Sequence, residues 1–271
     1  MSSGSQDPGA RMRAKAARAN ARLSRDSLAR FSARFDPQVQ DVNPRPVPRD
    51  LFHFVHIPKT KGAAFGAALR AQAGLHGVPW NGVERHFLLR DQAARTAAQR
   101  EGRPQVVMGH FGWQELVQLL KQGRAIFALA MVRDPVARLI ANFDYSRSVS
   151  HPDFEDFRAR YPSFEAYASD QPLNIQLKRL IGERPTFDLA LNALATHYSF
   201  LGVSEAFEAG LAHFGAQHGL DGLSAPVLSP LEKLVFSGAT QVSATYQNAL
   251  YKAHFQDLRL HQLLSGFYAN P

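Results

Sequence analysis

Short apolar runs alternate with amphipathic stretches through the middle of the chain. The runs show almost no alternation with polar residues, which is typical of strands buried on both faces of a sheet. Four of them are predicted as strands, at 51–57, 105–108, 125–132 and 198–203. Helical periodicity is predicted between them at 64–73, 113–121 and 136–148, and the chain is mostly helical after residue 148. Strands of this kind, separated by helices, predict an α/β fold with a central parallel sheet.

The N-terminal part of the chain follows a different pattern, because its regular feature is charge. Eight basic residues and one acid, Asp26, lie between positions 11 and 34. Five of the basic residues recur at alternating spacings of four and three, which puts them on one face of a helix: Arg11, Lys15, Arg18, Arg22 and Arg25. The apolar side of this helix is thin and consists of Ala14, Ala17, Ala21 and Leu28. We therefore expect a basic helical arm and a proline-rich connector at 1–49, a boundary near Arg49, and the main domain at 50–271.

Net charge depends almost wholly on this arm. The 271 residues include 31 lysines and arginines against 23 acidic residues, a formal net charge of +8, of which the arm supplies seven. The remainder is nearly neutral, which argues against a sequence-specific nucleic-acid binder. Three interpretations of the arm stay open: a solvated or loosely docked helix, a surface that contacts polyanions or the periphery of a membrane, and a targeting peptide.

Composition excludes several classes of protein. An apolar fraction of 45% fills a core, so a wholly disordered chain is excluded. The longest uninterrupted apolar stretch, 125–132, is eight residues long, whereas a membrane-spanning helix needs about 18 or more. The chain contains no cysteine, which excludes disulfides, thiolate metal sites and a cysteine nucleophile, and fits a reducing compartment such as the cytoplasm.

The first predicted strand runs through the loop His56-Ile57-Pro58-Lys59-Thr60-Lys61-Gly62 into a predicted helix. Such a junction exposes backbone N–H groups at the helix N-terminus and suits a phosphate group, although similar turns are common in α/β proteins. The nucleotide-triphosphate motif G-x-x-x-x-G-K-[ST] is absent, because Gly62 is followed by alanine and the lysine precedes it. An ordinary NTPase is therefore not expected.

A second junction follows the predicted strand at 125–132. Arg133 lies at the carboxyl end of this strand, where a guanidinium can bind a phosphate with two hydrogen bonds. Pro135 suits the first position of the helix that follows. We interpret Asp134 as a helix cap or a partner of Arg138 rather than as a catalytic acid.

Together the two junctions resemble a known family. FVHIPKTKGAAF resembles the 5′-phosphosulfate loop of sulfotransferases that use 3′-phosphoadenosine 5′-phosphosulfate (PAPS), and MVRDPVARLIANF resembles their 3′-phosphate segment. MGHFGW, NIQLKRLIG and YSFLGVSEAFEAGL resemble carbohydrate sulfotransferases, the family of the heparan sulfate 2-O-sulfotransferases and many bacterial proteins. The resemblance covers about residues 51–211. It implies a P-loop-like three-layer sandwich around the parallel sheet, with a helical C-terminal part.

The resemblance also implies roles for individual residues. Lys59 matches the catalytic lysine, whose charge stabilises the leaving group, and His110 matches the general base, with His56 and His86 as alternatives. The PAPS-binding residues implied are Lys59, Thr60, Lys61, Gly62, Ala63, Ala64, Phe65, Arg133 and Asn142. The acceptor, a carbohydrate or glycan, is expected near Lys178 and Arg179, on a helix that buries Ile175, Leu177, Leu180 and Ile181. No metal is expected.

Several positions depart from the family pattern. Lys61, Ala63 and Ala64 stand where relatives usually carry small or hydroxyl residues, and Ala141 stands where they usually carry serine, so hydroxyl donors to both phosphates are missing. Each missing neutral hydrogen bond is worth about 0.5 to 1.5 kcal/mol, so binding is weakened but not necessarily abolished. Two functions are therefore carried forward: a PAPS-dependent carbohydrate sulfotransferase, and a non-catalytic relative that binds a glycan or another polyanion. Animal relatives have membrane anchors and disulfides that this chain lacks, so we expect a cytoplasmic bacterial protein.

Overall fold

The computed structural model describes residues 7, 9–39, 51–71, 76–77, 105–110, 112–121, 126–220, 222–224 and 240–269. Its helices are α1 (Ala10–Asn20), α2 (Arg25–Phe35), α3 (Gly62–Ala71), α4 (Trp113–Leu120), α5 (Pro135–Ser146), α6 (Phe154–Arg160), α7 (Phe164–Ser169), α8 (Ile175–Ile181), α9 (Phe187–His197), α10 (Phe207–His218), α11 (Ala244–Ala253) and α12 (Phe255–Tyr268). Its strands are β1 (Leu51–Val55), β2 (His76–Gly77), β3 (Gln105–Gly109), β4 (Ile126–Val132) and β5 (Tyr198–Val203). The fold is α/β, as predicted.

The chain forms two compact units. The sheet unit comprises Leu23–Val132, Gln176–Pro226 and Leu264–Pro271. The helical unit comprises Met1–Arg22, Arg133–Ile175 and Val227–Leu263. The boundary predicted near Arg49, and most of the connector, lie outside the described residues.

The five strands pair in the order β2-β3-β1-β4-β5, and every pairing is parallel. This confirms the central parallel sheet. Val55 at the end of β1 pairs with Gly109 at the end of β3. Because parallel strands end at the same edge, the residues that follow β1 and β3 leave the sheet side by side. The two-residue strand β2 was not predicted, since it contains no apolar run.

Aromatic rings fill the core of the sheet unit. Phe65 on α3 packs against Phe54 on β1 and Phe200 on β5, with ring centroids 5.3 and 5.4 Å apart. Phe214 on α10 lies 5.3 Å from both Phe65 and Phe200. All four side chains are buried. Aromatic pairs at this spacing stabilise a core beyond the area that they bury, so this cluster fixes α3 against the sheet.

The helical unit has a core of its own. Val136, Leu139 and Phe143 project from α5 at helical spacing and pack with Tyr167 of α7 and Leu258 of α12. Proline at the first position of α5 fits the backbone there, as predicted. The chain after residue 148 is mostly helical, also as predicted. Within the part of the chain that the structure describes, no helix is long and apolar enough to cross a membrane.

The N-terminal arm consists of two helices rather than one. The Ser24 hydroxyl accepts the N–H of Ser27 and caps α2, so α1 and α2 are separate helices and Arg25 belongs to α2. The predicted apolar side was wrong, because Ala14, Ala17 and Ala21 are exposed. The buried positions are Ala16 and Asn20 on α1, and Ser27, Phe31 and Phe35 on α2. Each helix therefore contributes to the core of its own unit.

Candidate functional site

The loop between β1 and α3 has an unusual backbone. Lys59 and Lys61 both have left-handed conformations, with φ of 66° and 59°. For residues with a side chain this region costs about 1 to 2 kcal/mol. Thr60 between them is fully buried, and its hydroxyl donates to the carbonyl of Ile57 at 2.8 Å. The Thr60 hydroxyl, which was predicted to bind phosphate, is therefore hydrogen-bonded inside the loop.

The N-terminus of α3 opens directly from this loop. Its first intrahelical hydrogen bond runs from the N–H of Phe65 to the carbonyl of Lys61, at 3.0 Å. The N–H groups of Gly62, Ala63 and Ala64 precede that bond, in the turn where helices offer donors to an anion. The Phe65 N–H, which the sequence suggested as a further donor, is used inside the helix. The ring of Phe65 lies in the core.

Gly62 allows a buried histidine to approach the start of α3. A Cβ atom at Gly62 would lie 2.2 Å from Cδ2 of His56 and 2.9 Å from Cε1 of Phe54. Real Cβ atoms do not come this close to other heavy atoms. Glycine is therefore required at this position by the packing of the His56 ring, independently of any ligand.

His56 and His110 lie together because they follow neighbouring strands. The N–H of His56 donates to the carbonyl of Gly109 at 2.9 Å, which extends the pairing of β1 and β3 by one residue. The two imidazole rings have centroids 4.9 Å apart, with 36° between their planes. His56 is 5% exposed, and His110 is half-buried.

Burial, together with positive charge on His110, Lys59 and Arg179, lowers the pKa of His56 to about 3. His56 is therefore neutral at physiological pH. Three of the residues singled out from the sequence are thus close enough to act electrostatically on one buried ring. Lys59 and His110 were predicted as catalytic, and Arg179 as acceptor-binding.

Lys61 has a different neighbour from the one expected. Its ammonium group lies 5.2 Å from the centroid of the Phe207 ring, in cation–π geometry. Phe207 is the first residue of α10 and is buried. In this conformation the Lys61 side chain packs against α10, whereas the sequence suggested a charge-assisted contact with a phosphate.

Helix α8 carries the residues predicted to face the acceptor. Leu177, Leu180 and Ile181 are buried as predicted, whereas Ile175 is only half-buried. Lys178 forms an ion pair with Glu183 at 2.9 Å, with side chains 41% and 81% exposed. The lysine holds the pKa of the Glu183 carboxyl below its usual value. An exposed pair of this kind contributes little stability.

The second junction belongs to the helical unit. Arg133 directly follows β4 and is 7% exposed. The Asp134 side chain accepts the N–H groups of Val136 and Ala137 at 3.0 and 2.9 Å, which confirms it as the cap of α5. The Tyr251 hydroxyl donates to the other carboxylate oxygen at 3.0 Å. Burial, with Asp134 nearby, raises the pKa of Tyr251.

Residues that follow on α5 are buried or contact other side chains of the protein. The Asn142 amide, predicted to reach a 3′-phosphate, donates to the Tyr167 hydroxyl at 2.7 Å. Ala141 is fully buried. Burial lowers the pKa of Arg138, while Tyr167 and Asp257 favour its charged form. Arg133 and Asn142 thus lie in one unit, whereas Lys59 and His110 lie in the other.

Sequence reasoning missed two features of this site. Arg179 was assigned to the acceptor alone, although its charge acts on His56. The contact between Gly62 and His56 was also unforeseen, and its only sequence signal is a glycine six residues after a histidine near the end of a predicted strand.

His86 lies outside the described residues. Among the residues described here, no cluster of three or more His, Asp or Glu side chains is arranged to hold a metal ion.

Neither a comparison with protein-family models nor one with curated protein sequences finds a match for this chain. Among solved structures, the chain is similar to the mouse sulfotransferase SULT7A1 complexed with PAP. The two are 14% identical, with a TM-score of 0.41, over 82% of this chain and 74% of the mouse chain.

Proposed function

We propose that this protein is a PAPS-dependent sulfotransferase that transfers a sulfuryl group to a hydroxyl of a carbohydrate. The observation that carries the proposal is the arrangement of Lys59 and His110 beside neutral His56, where β1 and β3 end. Sulfuryl transfer needs a cation for the leaving group and a base for the acceptor hydroxyl. Both kinds of group are present at one edge of the sheet.

The loop before α3 fits the 5′-phosphosulfate end of the donor. Its first-turn N–H groups suit an oxyanion, and Gly62 places no side chain at the start of the helix. When bound, PAPS supplies the sulfuryl group and a phosphate leaving group. Arg133, buried after β4, and Asn142 are assigned to the 3′-phosphate in the same proposal.

Lys59 is assigned to the charge that develops on the departing oxygen. Its left-handed backbone fixes where the side chain leaves the loop. The charge of Lys59 acts on the ring of His56, which is neutral and adds no further positive charge. The ammonium group therefore supplies the positive charge that stabilisation of the leaving group requires.

His110 is assigned as the general base, because it is half-buried at the carboxyl end of β3 while His56 is covered. With a pKa of about 3, His56 is a weak base and a poor candidate for this role. Lys178 and Arg179 are assigned to the acceptor, and their positive charge suits a sugar that already carries an anionic group. A cytoplasmic location belongs to the same proposal, supported by the cysteine-free sequence.

The proposal is tested by incubating the full-length protein with radiolabelled PAPS and a panel of glycans. We expect label to appear in at least one acceptor and calorimetry to detect 3′-phosphoadenosine 5′-phosphate binding. No transfer and no PAPS hydrolysis would overturn the enzymatic function. Binding that is unchanged in Arg133→Ala would overturn the assignment of that residue.

A second function is favoured by one observation. The Thr60 hydroxyl donates to the Ile57 carbonyl, and the Lys61 ammonium group packs on the Phe207 ring. Two side chains that were expected to contact PAPS therefore make contacts within the protein instead. A non-catalytic protein that binds a glycan or another polyanion would have these features. Glycan binding without affinity for 3′-phosphoadenosine 5′-phosphate distinguishes it from the enzyme.

A further inference from the structure

The helical unit contains a strongly basic cleft between α1 and α11. The cleft has a volume of about 860 Å³. Its cationic residues are Arg11, Lys15, Arg18, Arg22 and Lys252. No carboxylate is found among its described lining residues. None of the residues of this basic cleft is assigned to sulfuryl transfer, so the inference drawn from it is independent of the proposed sulfotransferase activity.

The concentration of these charges on one face of α1 is unfavourable, because like charges four residues apart on a helix repel each other. Arg11 also lies in the first turn of α1, where a positive charge opposes the helix dipole and no acidic residue offsets it, whereas Arg18 in the last turn interacts favourably with the dipole. In the described part of the chain none of the five forms an ion pair, whereas Arg13 on another face of α1 pairs with Asp7 and contacts Tyr251. Concentrated like charge of this kind is stabilised by a bound anion.

Helix α1, which carries most of these cations, is fixed within its unit by hydrogen bonds and packing. The Asn20 side chain donates to the carbonyl of Arg259 at 3.0 Å and accepts from its guanidinium at 2.9 Å. Ala16 is fully buried in the core of the unit. The ammonium group of Lys15 lies 5.5 Å from the centroid of the Phe255 ring. The cleft is therefore formed before a ligand binds, which lowers the entropic cost of binding.

The lining defines the chemistry of the ligand. Arg11 and Arg18 are about 10 Å apart along the helix axis, so one phosphate cannot contact both, whereas several phosphates on one molecule can. No aromatic ring is found among the described lining residues to stack on a base, and Met12 is the one long apolar side chain there. Thr245 and Asn248 add neutral polar groups. A volume below about 1,000 Å³ suits a small molecule.

We infer that the basic cleft binds a compact ligand that carries several phosphate groups. Such a ligand is either a free molecule or the headgroup of a phosphorylated lipid, and both present the same phosphates to the same cations. The arginines contact phosphate oxygens in pairs, and the lysines contribute as point charges.

The probe for this inference is inorganic tripolyphosphate, titrated into the full-length protein by calorimetry at low salt. The test variant combines Lys15→Gln, Arg18→Gln and Lys252→Gln. The control combines Arg25→Gln, Arg30→Gln and Lys121→Gln, which removes the same charge from exposed positions outside the cleft. We expect the test variant to bind about 30-fold or more weakly and the control to stay within about threefold of wild type. Arg11→Gln with Arg22→Gln provides a second test variant.

Saturable binding lost only in the cleft variants supports the inference. No saturable binding, or equal loss in the control, overturns it. Phosphatidylcholine vesicles with and without phosphatidylinositol 4,5-bisphosphate then distinguish the two sources. Vesicle binding that tripolyphosphate displaces indicates a lipid headgroup. No binding to either kind of vesicle indicates a free ligand. Vesicle binding that tripolyphosphate does not displace would overturn the compact ligand.

Discussion

The imidazole rings of His56 and His110 lie with their centroids 4.9 Å apart because the two residues directly follow adjacent parallel strands. One ring is covered and the other is half-buried. The covered ring is neutral, since burial and the surrounding cations bring its pKa to about 3. This difference in burial fits a packing role for His56 and a chemical role for His110.

Removing Lys59 or His110 tests the chemical roles. We expect Lys59→Ala and His110→Ala each to lower kcat by about 100-fold or more, the usual scale for one electrostatic or acid–base group. Alanine carries a Cβ atom as lysine does, so it meets the same left-handed backbone at position 59, and the loss reports the charge rather than the loop. Steady-state transfer rates measure the effect.

Lys121→Ala and His151→Ala are matched controls, because neither residue is assigned a role in donor binding or catalysis. They should keep wild-type rates. A rate near wild type in Lys59→Ala or His110→Ala would contradict the role given to that residue.

Substitution at Gly62 tests the packing at the start of α3. In Gly62→Ala the new Cβ would lie 2.2 Å from the ring of His56, so the ring or the helix must move. We expect a loss of about 1 to 3 kcal/mol in the free energy of unfolding, together with weaker binding of 3′-phosphoadenosine 5′-phosphate. Chemical denaturation and calorimetry measure the two effects.

Gly266→Ala on α12 is the matched control. Nothing lies within 4 Å of a Cβ atom at Gly266, so alanine there should be neutral or should stabilise the protein by up to about 1 kcal/mol. Equal stability of the two variants would show that the contact with His56 does not require glycine.

Asn174 links the start of α8 to the start of α12. Its side-chain oxygen accepts the N–H groups of Gln256 and Asp257 at 2.9 and 3.2 Å, and its backbone is left-handed with φ of 52°. Asn174→Gly removes the cap and tolerates this backbone, whereas Asn174→Ala removes the cap and is strained. We expect losses of about 1 kcal/mol for glycine and about 2 for alanine in denaturant unfolding. Glycine costing as much as alanine would contradict the strain argument.

Buried histidines make the protein sensitive to acid. His218 is 2% exposed and packs against Phe52, Phe127 and Phe214, with ring centroids 4.6 to 5.3 Å away. Burial, aided by positive charge on Arg34 and His213, lowers its pKa to about 4. The unfolded chain takes up a proton near pH 6.5, before the folded chain does. Stability is therefore full above this pH and declines as the pH falls toward 4.

The variant His218→Phe cannot take up this proton. We expect unfolding of the variant to bind about one proton fewer between pH 6.5 and 4.5, so its Tm falls less steeply with acid than that of the wild type. Thermal unfolding across this range measures the slope, which is insensitive to any constant change in packing. Parallel slopes for the two proteins would contradict the lowered pKa.

Patterns along the chain specify the features that depend only on neighbouring residues. Unbroken apolar runs predicted the parallel strands, because a strand covered on both faces has no polar side. Asp134 before Pro135 predicted the cap of α5, because a cap needs only an acceptor and a helix that begins beside it. The strand-to-helix junctions placed Lys59 and Arg133 at strand ends for the same local reason.

Contacts between residues from distant segments depend on how the strands and helices pack. His56, His110 and Arg179 come from separate segments, and their proximity depends on the strand order and on the packing of α8. The Lys61 side chain lies on Phe207 because α10 packs there, which no local pattern predicts. The basic face of α1 was visible in the sequence, but the cleft exists because α11 supplies Lys252 as its opposite wall. Contacts between distant segments follow from the packing of whole elements, and a pattern along the chain contains only the local part of that information.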